Sequence, residues 1–186
     1  ASNGAYGERM ADIAEHAGLS YILYSETYDQ VPSADKIQKL LNEHPEITHV
    51  SMVHSETTSG ILNDIASVAG VVKASGRTFI VDAMSSFGGV DIPAEELGID
   101  FIISSANKCI QGVPGFSFII CRRDCLAACE GKAKSLSLDL YDQWKTMEKD
   151  GKWRFTSPTH VVLAFAQAMR EMEAEGGIEA RHQRYT

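Results

Sequence analysis

Two charged residues end apolar runs of strand length. Asp82 closes Thr78-Phe79-Ile80-Val81, and Lys108 follows Phe101-Ile102-Ile103 through Ser104-Ser105-Ala106-Asn107. They stand 26 residues apart, a separation that lets neighbouring parallel strands bring a carboxylate and an amine into one crevice. Taken singly, a lysine after a strand is most often a surface lysine, and an aspartate there a turn or cap residue. As a pair they suit one chemistry. A lysine amine forms a Schiff base, and a carboxylate keeps a pyridine nitrogen protonated so that the ring withdraws electrons; pyridoxal phosphate needs both. A dinucleotide site would need G-x-G-x-x-G after the first strand, which the sequence lacks.

The elements that must position this pair are legible as alternating patterns. Met10, Ile13, Ala14 and Ala17 recur at helical spacing and Gly18 stops them; Tyr21 to Tyr24 reads as a short strand. Ser33 caps a second helix through Ile37, Leu40 and Leu41. His49 to Val53 reads as a strand that opens into the polar loop His54 to Gly60, and a third helix spans about Asn63 to Ala74. Phe116 to Cys121 closes the sheet, with an antiparallel setting open to it. From Ser157-Pro158 a long helix runs through Val162, Phe165, Met169 and Met172 to Gly176-Gly177, its apolar side packing in the core. The fold class expected is α/β, a three-layer sandwich with a mostly parallel sheet.

Composition narrows the function. With 186 residues, 44% of them hydrophobic, the chain is long enough for one globular domain with a real core. A net charge of -8 without a Lys/Arg run argues against nucleic acid. No apolar stretch approaches the roughly 20 residues that span a bilayer. Four cysteines in a domain of this size read as reduced thiols in a cytoplasm. Cys121, Cys125 and Cys129 are spaced by four, but with no fourth ligand and no CxxC pair no metal site is expected. Neither end of the chain reads as a terminus, so a longer polypeptide is expected.

Beyond spacing, five stretches carry a likeness: Asn3 to Arg9 (NGAYGER), His54 to Asn63 (HSETTSGILN), Ile80 to Gly89 (IVDAMSSFGG), Ser104 to Gly115 (SSANKCIQGVPG) and Trp153 to His160 (WRFTSPTH). With Ser135 to Tyr141 and Arg181 to Tyr185 they resemble the class V, fold type I aminotransferases, which use pyridoxal phosphate. The resemblance implies that residues 1–186 form the large, cofactor-binding domain and that Lys108 carries the cofactor with Asp82 on its ring nitrogen. It further places Thr57 near the phenolic oxygen, Tyr6 stacked on the ring, Met84 on the opposite face and Asn107 at the phosphate or ring edge. Thr156 would reach the phosphate of a neighbouring subunit's cofactor, which implies a homodimer. Within the family the likeness is to enzymes that move an amino group from 2-aminoethylphosphonate to pyruvate, a choice that rests on resemblance alone. An alanine:glyoxylate-type enzyme and a noncatalytic folded piece remain as alternatives; a cysteine desulfurase would carry His where Asn107 stands.

Simpler roles compete at several positions: Tyr6 as a packing residue at a helix start, Thr57 as a loop hydroxyl, Met84 as core. His54 and Glu56 read as hydrogen-bonding partners beneath the site. Gly112, Pro114 and Gly115 shape a tight loop after the lysine. Two parts of the family pattern have no match, the phosphate-binding Ser/Gly loop expected upstream of Asn3 and the small C-terminal domain with its substrate arginine. Arg9, Arg154 and Arg181 do not fit that arginine's position. The expectation is a fragment that binds the cofactor weakly by itself.

Overall fold

The computed structural model describes all 186 residues. Eight helices, α1 (Ala5–His16), α2 (Ala34–Glu43), α3 (Ile65–Ala74), α4 (Ala94–Leu97), α5 (Arg123–Ala127), α6 (Leu140–Asp150), α7 (Thr159–Glu175) and α8 (Gly177–Tyr185), accompany six strands. The strands are β1 (His49–Val53), β2 (Ser55–Glu56), β3 (Ile61–Leu62), β4 (Thr78–Asp82), β5 (Phe101–Ser105) and β6 (Ser117–Cys121). The main sheet has the order β1-β4-β5-β6. Its first three strands run parallel and β6 is antiparallel to β5, so Phe116 to Cys121 takes the antiparallel setting.

Helix starts and stops follow local chemistry. Ser33 caps α2 by accepting the Lys36 N–H at 3.4 Å, and Asp64 caps α3 by accepting the Ser67 N–H at 3.0 Å. In α3 the residues Ile65, Val68, Ala69 and Val72, spaced as one helical stripe, are buried. They join Ile37 and Leu41 of α2 against Met52, Phe79, Val81 and Ile102 of the sheet. Alternation along β4 turns Asp82 to the opposite face, where its neighbour Val53 is buried beside α1. Helices therefore flank a mixed, mostly parallel sheet, as the alternating pattern requires.

Three features differ from the sequence reading. Tyr21 to Tyr24 forms no strand, although its residues favour one. The segment pairs with no strand: the Tyr24 carbonyl accepts the Ser2 N–H at 2.9 Å, and the adjoining Ser25 makes a single bridge with Ser2. β-propensity is expressed only where a partner strand offers a ladder. The polar stretch after β1 contains a tight hairpin, β2 to β3, turned by Thr57 to Gly60. The short helices α4, α5 and α6 were not foreseen, because their apolar residues are too few for a clear stripe.

His54 joins three of these elements. Its N–H donates to the Asp82 carbonyl at 2.8 Å and its carbonyl accepts the Asn63 N–H at 2.7 Å. Asn63 in turn exchanges amide bonds with Asn3 at 2.8 and 3.0 Å. The His54 ring is buried with Nδ1 unpartnered, and burial lowers its pKa from 6.5 to about 4. Stability from the neutral ring is complete above pH 6.5 and is lost as pH falls towards 4. In urea unfolding at stepped pH, wild type is expected to lose on the order of 3 kcal/mol across this window relative to His54→Gln.

Candidate active site

β1 and β4 end side by side, Val53 pairing with Asp82, and beside them Asp82 pairs with Ile103 of β5, which runs on to Ser105. Asp82 is half-buried. Oδ1 accepts the Met84 N–H at 2.9 Å, and no lysine or arginine pairs with it. Desolvation, and behind it the charge of Glu56, hold its pKa above the usual carboxylate range. A carboxylate left in this state is a seat for a cation.

Lys108 is exposed in the loop that leaves β5. The loop closes on itself: Gln111 N–H donates to the Lys108 carbonyl and Gly112 N–H to that of Ala106, both at 2.8 Å. A side chain at Gly112 would put its Cβ 2.7 Å from the Ala106 oxygen, and one at Gly115, where φ is 154°, would meet Val161 of α7. Backbone approach thus dictates both glycines. Gln111, at φ 64°, is the chain's one non-glycine residue in the left-handed region. Such residues cost about 1–3 kcal/mol and persist where their surroundings over-determine them, which happens mostly at functional sites.

Between the aspartate and the lysine stands Ser85, which the sequence reading passed over. Its hydroxyl bonds that of Thr57 at 2.8 Å, and its carbonyl accepts the Cys109 thiol at 3.3 Å. One residue thereby ties the hairpin turn, the loop after β4 and the loop after β5. The only sequence signal was its place in the Ser85-Ser86 pair three residues after Asp82.

Glu56 organises the other side. Fully buried, it accepts the Gly7 N–H at 3.2 Å, the Thr58 N–H at 3.2 Å and the Thr58 hydroxyl at 2.7 Å. The carboxylate therefore sits in the first turn of α1, where a negative charge suits the free N–H groups. Gly4 is required there, because a Cβ would lie 2.5 Å from Glu56 carbons. Tyr6, half-buried in that first turn, carries the Arg9 guanidinium 4.8 Å above its ring. Glu56 thus fixes Tyr6 and Thr57 relative to one another, consistent with its place beneath the site.

Thr57, Met84, Asn107 and Lys108 lie in the loops and turns that follow β2, β4 and β5, Asp82 is the last residue of β4, and Tyr6 lies in the first turn of α1. Met84 is half-buried and Asn107 exposed. Thr156 is exposed on the loop before α7 and shares no hydrogen bond with the others.

The sheet thus ends on a carboxylate without a cation, a hydroxyl pair and a lysine in a closed loop. The chain belongs to the class-V aminotransferases, whose family profile matches residues 8–186. It is similar to the 2-aminoethylphosphonate–pyruvate transaminase of Lysinibacillus sphaericus, with 58% identity over 99% of this chain and 50% of that one. The enzyme of the same name from Bacteroides fragilis is 60% identical over 99% of this chain and 51% of its own. The chain spans about half the length of the curated relatives it matches. Among solved structures, the pyridoxamine-pyruvate aminotransferase of Mesorhizobium loti superposes with a TM-score of 0.86 at 28% identity, covering 97% of this chain and 47% of that one. An alanine–glyoxylate aminotransferase from Nostoc sp. gives 0.85 at 23% identity over 98% and 49%, a likeness of fold alone.

The two carboxylates should respond oppositely to removal. Glu56→Ala strands three donors and is expected to cost about 3 kcal/mol in urea unfolding. Asp82 behaves differently. Because the folded protein holds the Asp82 proton more tightly than the unfolded chain, stability falls as pH rises above 3.8. Cofactor-free Asp82→Asn is therefore expected to melt above wild type at pH 7, with the two melting temperatures converging below pH 3.8.

Proposed function

We propose that this chain supplies the cofactor-binding large domain, residues 1–186, of an enzyme that moves the amino group of 2-aminoethylphosphonate to pyruvate. Phosphonoacetaldehyde and alanine are the products, and pyridoxal phosphate is the cofactor. The observation that carries the reading is the unpaired, half-buried Asp82 at the end of the strand adjacent to the one that leads to Lys108. The substrates follow from the names of relatives that are 58–60% identical.

The residues fit the cofactor. Asp82 offers an anion that lacks a counter-ion, Lys108 an exposed amine, Thr57 and Ser85 a pair of hydroxyls, and Tyr6 a flat ring at the same end of the sheet. When bound, pyridoxal phosphate supplies a ring that draws electrons away from the carbon bearing the substrate amine. Asp82 would hold the positive charge at the ring nitrogen, and the cost of its desolvation would then be offset by an ion pair. Lys108 Nζ would carry the cofactor at rest and move the proton at the substrate carbon during turnover. Thr57 would donate toward the ring oxygen, Tyr6 and Met84 would bracket the ring, and Asn107 would contact the phosphate or ring edge. Thr156, exposed and making no hydrogen bond to this cluster in its own chain, would serve the site of a second copy in a homodimer. The four free cysteines suit a reducing cytoplasm, and no helix is long and apolar enough to cross a membrane.

The test uses the full-length protein loaded with pyridoxal phosphate. Borohydride is expected to fix cofactor covalently to Lys108, and Lys108→Ala to lose both that adduct and alanine formation from 2-aminoethylphosphonate and pyruvate. Asp82→Asn is expected to lower turnover by about 10²- to 10³-fold, the equivalent of breaking a buried ion pair worth about 3–5 kcal/mol. An adduct retained in the lysine variant, or near-normal turnover in the aspartate variant, would remove that residue from its role.

A further inference from the structure

The Lys108 loop is held from outside as well as by its own backbone. Its turn uses the Lys108 carbonyl and leaves the next two, those of Cys109 and Ile110, pointing outward. Both accept from Nη1 of Arg181 in α8, at 2.8 and 3.2 Å. Arg181 is 2% exposed, a rare burial for a guanidinium. Its remaining edge donates through Nε and Nη2 to Glu175 Oε2 at 3.0 and 2.6 Å. Glu175 is itself tied to Arg184 at 2.6 Å, and the bonds from Arg184 and Arg181 hold its carboxyl at about 2, ionised across the working range.

The same helix makes two more attachments. His182 Nδ1 meets the Gly89 carbonyl at 2.9 Å, and the Tyr185 hydroxyl lies 2.6 Å from the Gln111 side chain. Gly89 presses on the lysine loop so closely that a Cβ there would sit 2.8 Å from Cys109 Sγ. One helix therefore pins the loops after both β4 and β5, with Arg181 on the two peptide planes immediately following the lysine.

We infer that Arg181, anchored by Glu175, is the positioning residue for Lys108, fixing the backbone that aims its amine; this rests on the assignment of Lys108 made above. A planar guanidinium satisfies two carbonyls and a carboxylate at once, which an ammonium cannot do with the same geometry. Burying that charge is costly unless each donor finds an acceptor. Simple docking of α8 against the body would be served by an apolar side chain, so the charge has a directional task. The task is to hold a loop that contains the left-handed Gln111 in one conformation.

Arg181→Met, Arg181→Lys and Glu175→Gln in the full-length protein test this, with three measurements on each. In the cofactor-free protein, amide hydrogen exchange reads Gln111 and Gly112, and competitive acetylation reads Lys108 against the exposed Lys39. In the loaded enzyme, steady-state kinetics separate kcat from KM. Arg181→Met is expected to lower kcat about 10²-fold with KM for the amino donor within about twofold, to shift Lys108 acetylation by more than about threefold, and to speed exchange at both amides. Glu175→Gln should move all three in the same direction by less, and Arg181→Lys should recover part of kcat. Folded variants that melt earlier but keep wild-type acetylation and kcat would overturn the inference and reduce Arg181 to a staple for α8. If Arg181→Met does not fold, Glu175→Gln decides by the same measurements. Should wild type take up no cofactor on Lys108, that assignment fails by itself, while exchange and acetylation still uphold or overturn the clamp.

Discussion

The site depends on the pairing of β4 with strands on both sides. Asp82 ends β4 between its two parallel neighbours: it pairs with Val53, the last residue of β1, and with Ile103 of β5, and its carbonyl receives the His54 N–H. From that row of strand ends the chain leaves three times, into the hairpin turn, the Met84 to Gly89 loop and the lysine loop. A slip of one residue in β4 would turn Asp82 into the core beneath α2 and α3 and bring Val81 to the crevice. Burial of Phe79 and Val81 prevents it, so the apolar core sets the position of Asp82 at the strand end.

The two carboxylates near this row are held differently. Glu56 is fully buried and meets three donors, which makes it a joint between α1 and the hairpin. Asp82 has one donor, no cation and a raised pKa caused first by desolvation. A fold selected for stability alone would neutralise or pair it. On the proposed reading, a positively charged ring nitrogen would relieve the cost of leaving it bare, and affinity for the cofactor and local instability would share one origin.

Much of this was legible in the sequence because its causes are local. The stripe Ile65, Val68, Ala69, Val72 and the caps Ser33 and Asp64 announce their helices, and each strand end shows as an apolar run meeting a polar loop. Asp82 and Lys108 stood out for the same reason. Legibility failed where the cause is remote. Tyr21 to Tyr24 has strand residues but pairs with no strand, and only the adjoining Ser25 makes a bridge. The hairpin at Thr57 to Gly60 depends on Glu56 being buried under Gly4, a contact between residues more than 50 positions apart. Ser85 has no pattern of its own and acquires its role only when three loops converge on it.

Convergence also explains how loops can hold a site that requires fixed geometry. Exposed loops ordinarily fluctuate, since few buried contacts restrain them. Here each of the three is tied to another by a polar bond: Thr57 to Ser85, Ser85 to Cys109, and Cys109 with Ile110 to Arg181. These ties run crosswise to the strands, so motion of any one loop must break a bond to its neighbour. Only the side chains of Lys108 and Asn107 are left free to solvent in the lysine loop ahead of Cys109, while the backbone that carries them is bonded on both sides. On the proposed reading, a fixed frame beneath the exposed Lys108 amine suits acid–base work at a substrate carbon, since the amine would swing between two partners while its origin stays fixed.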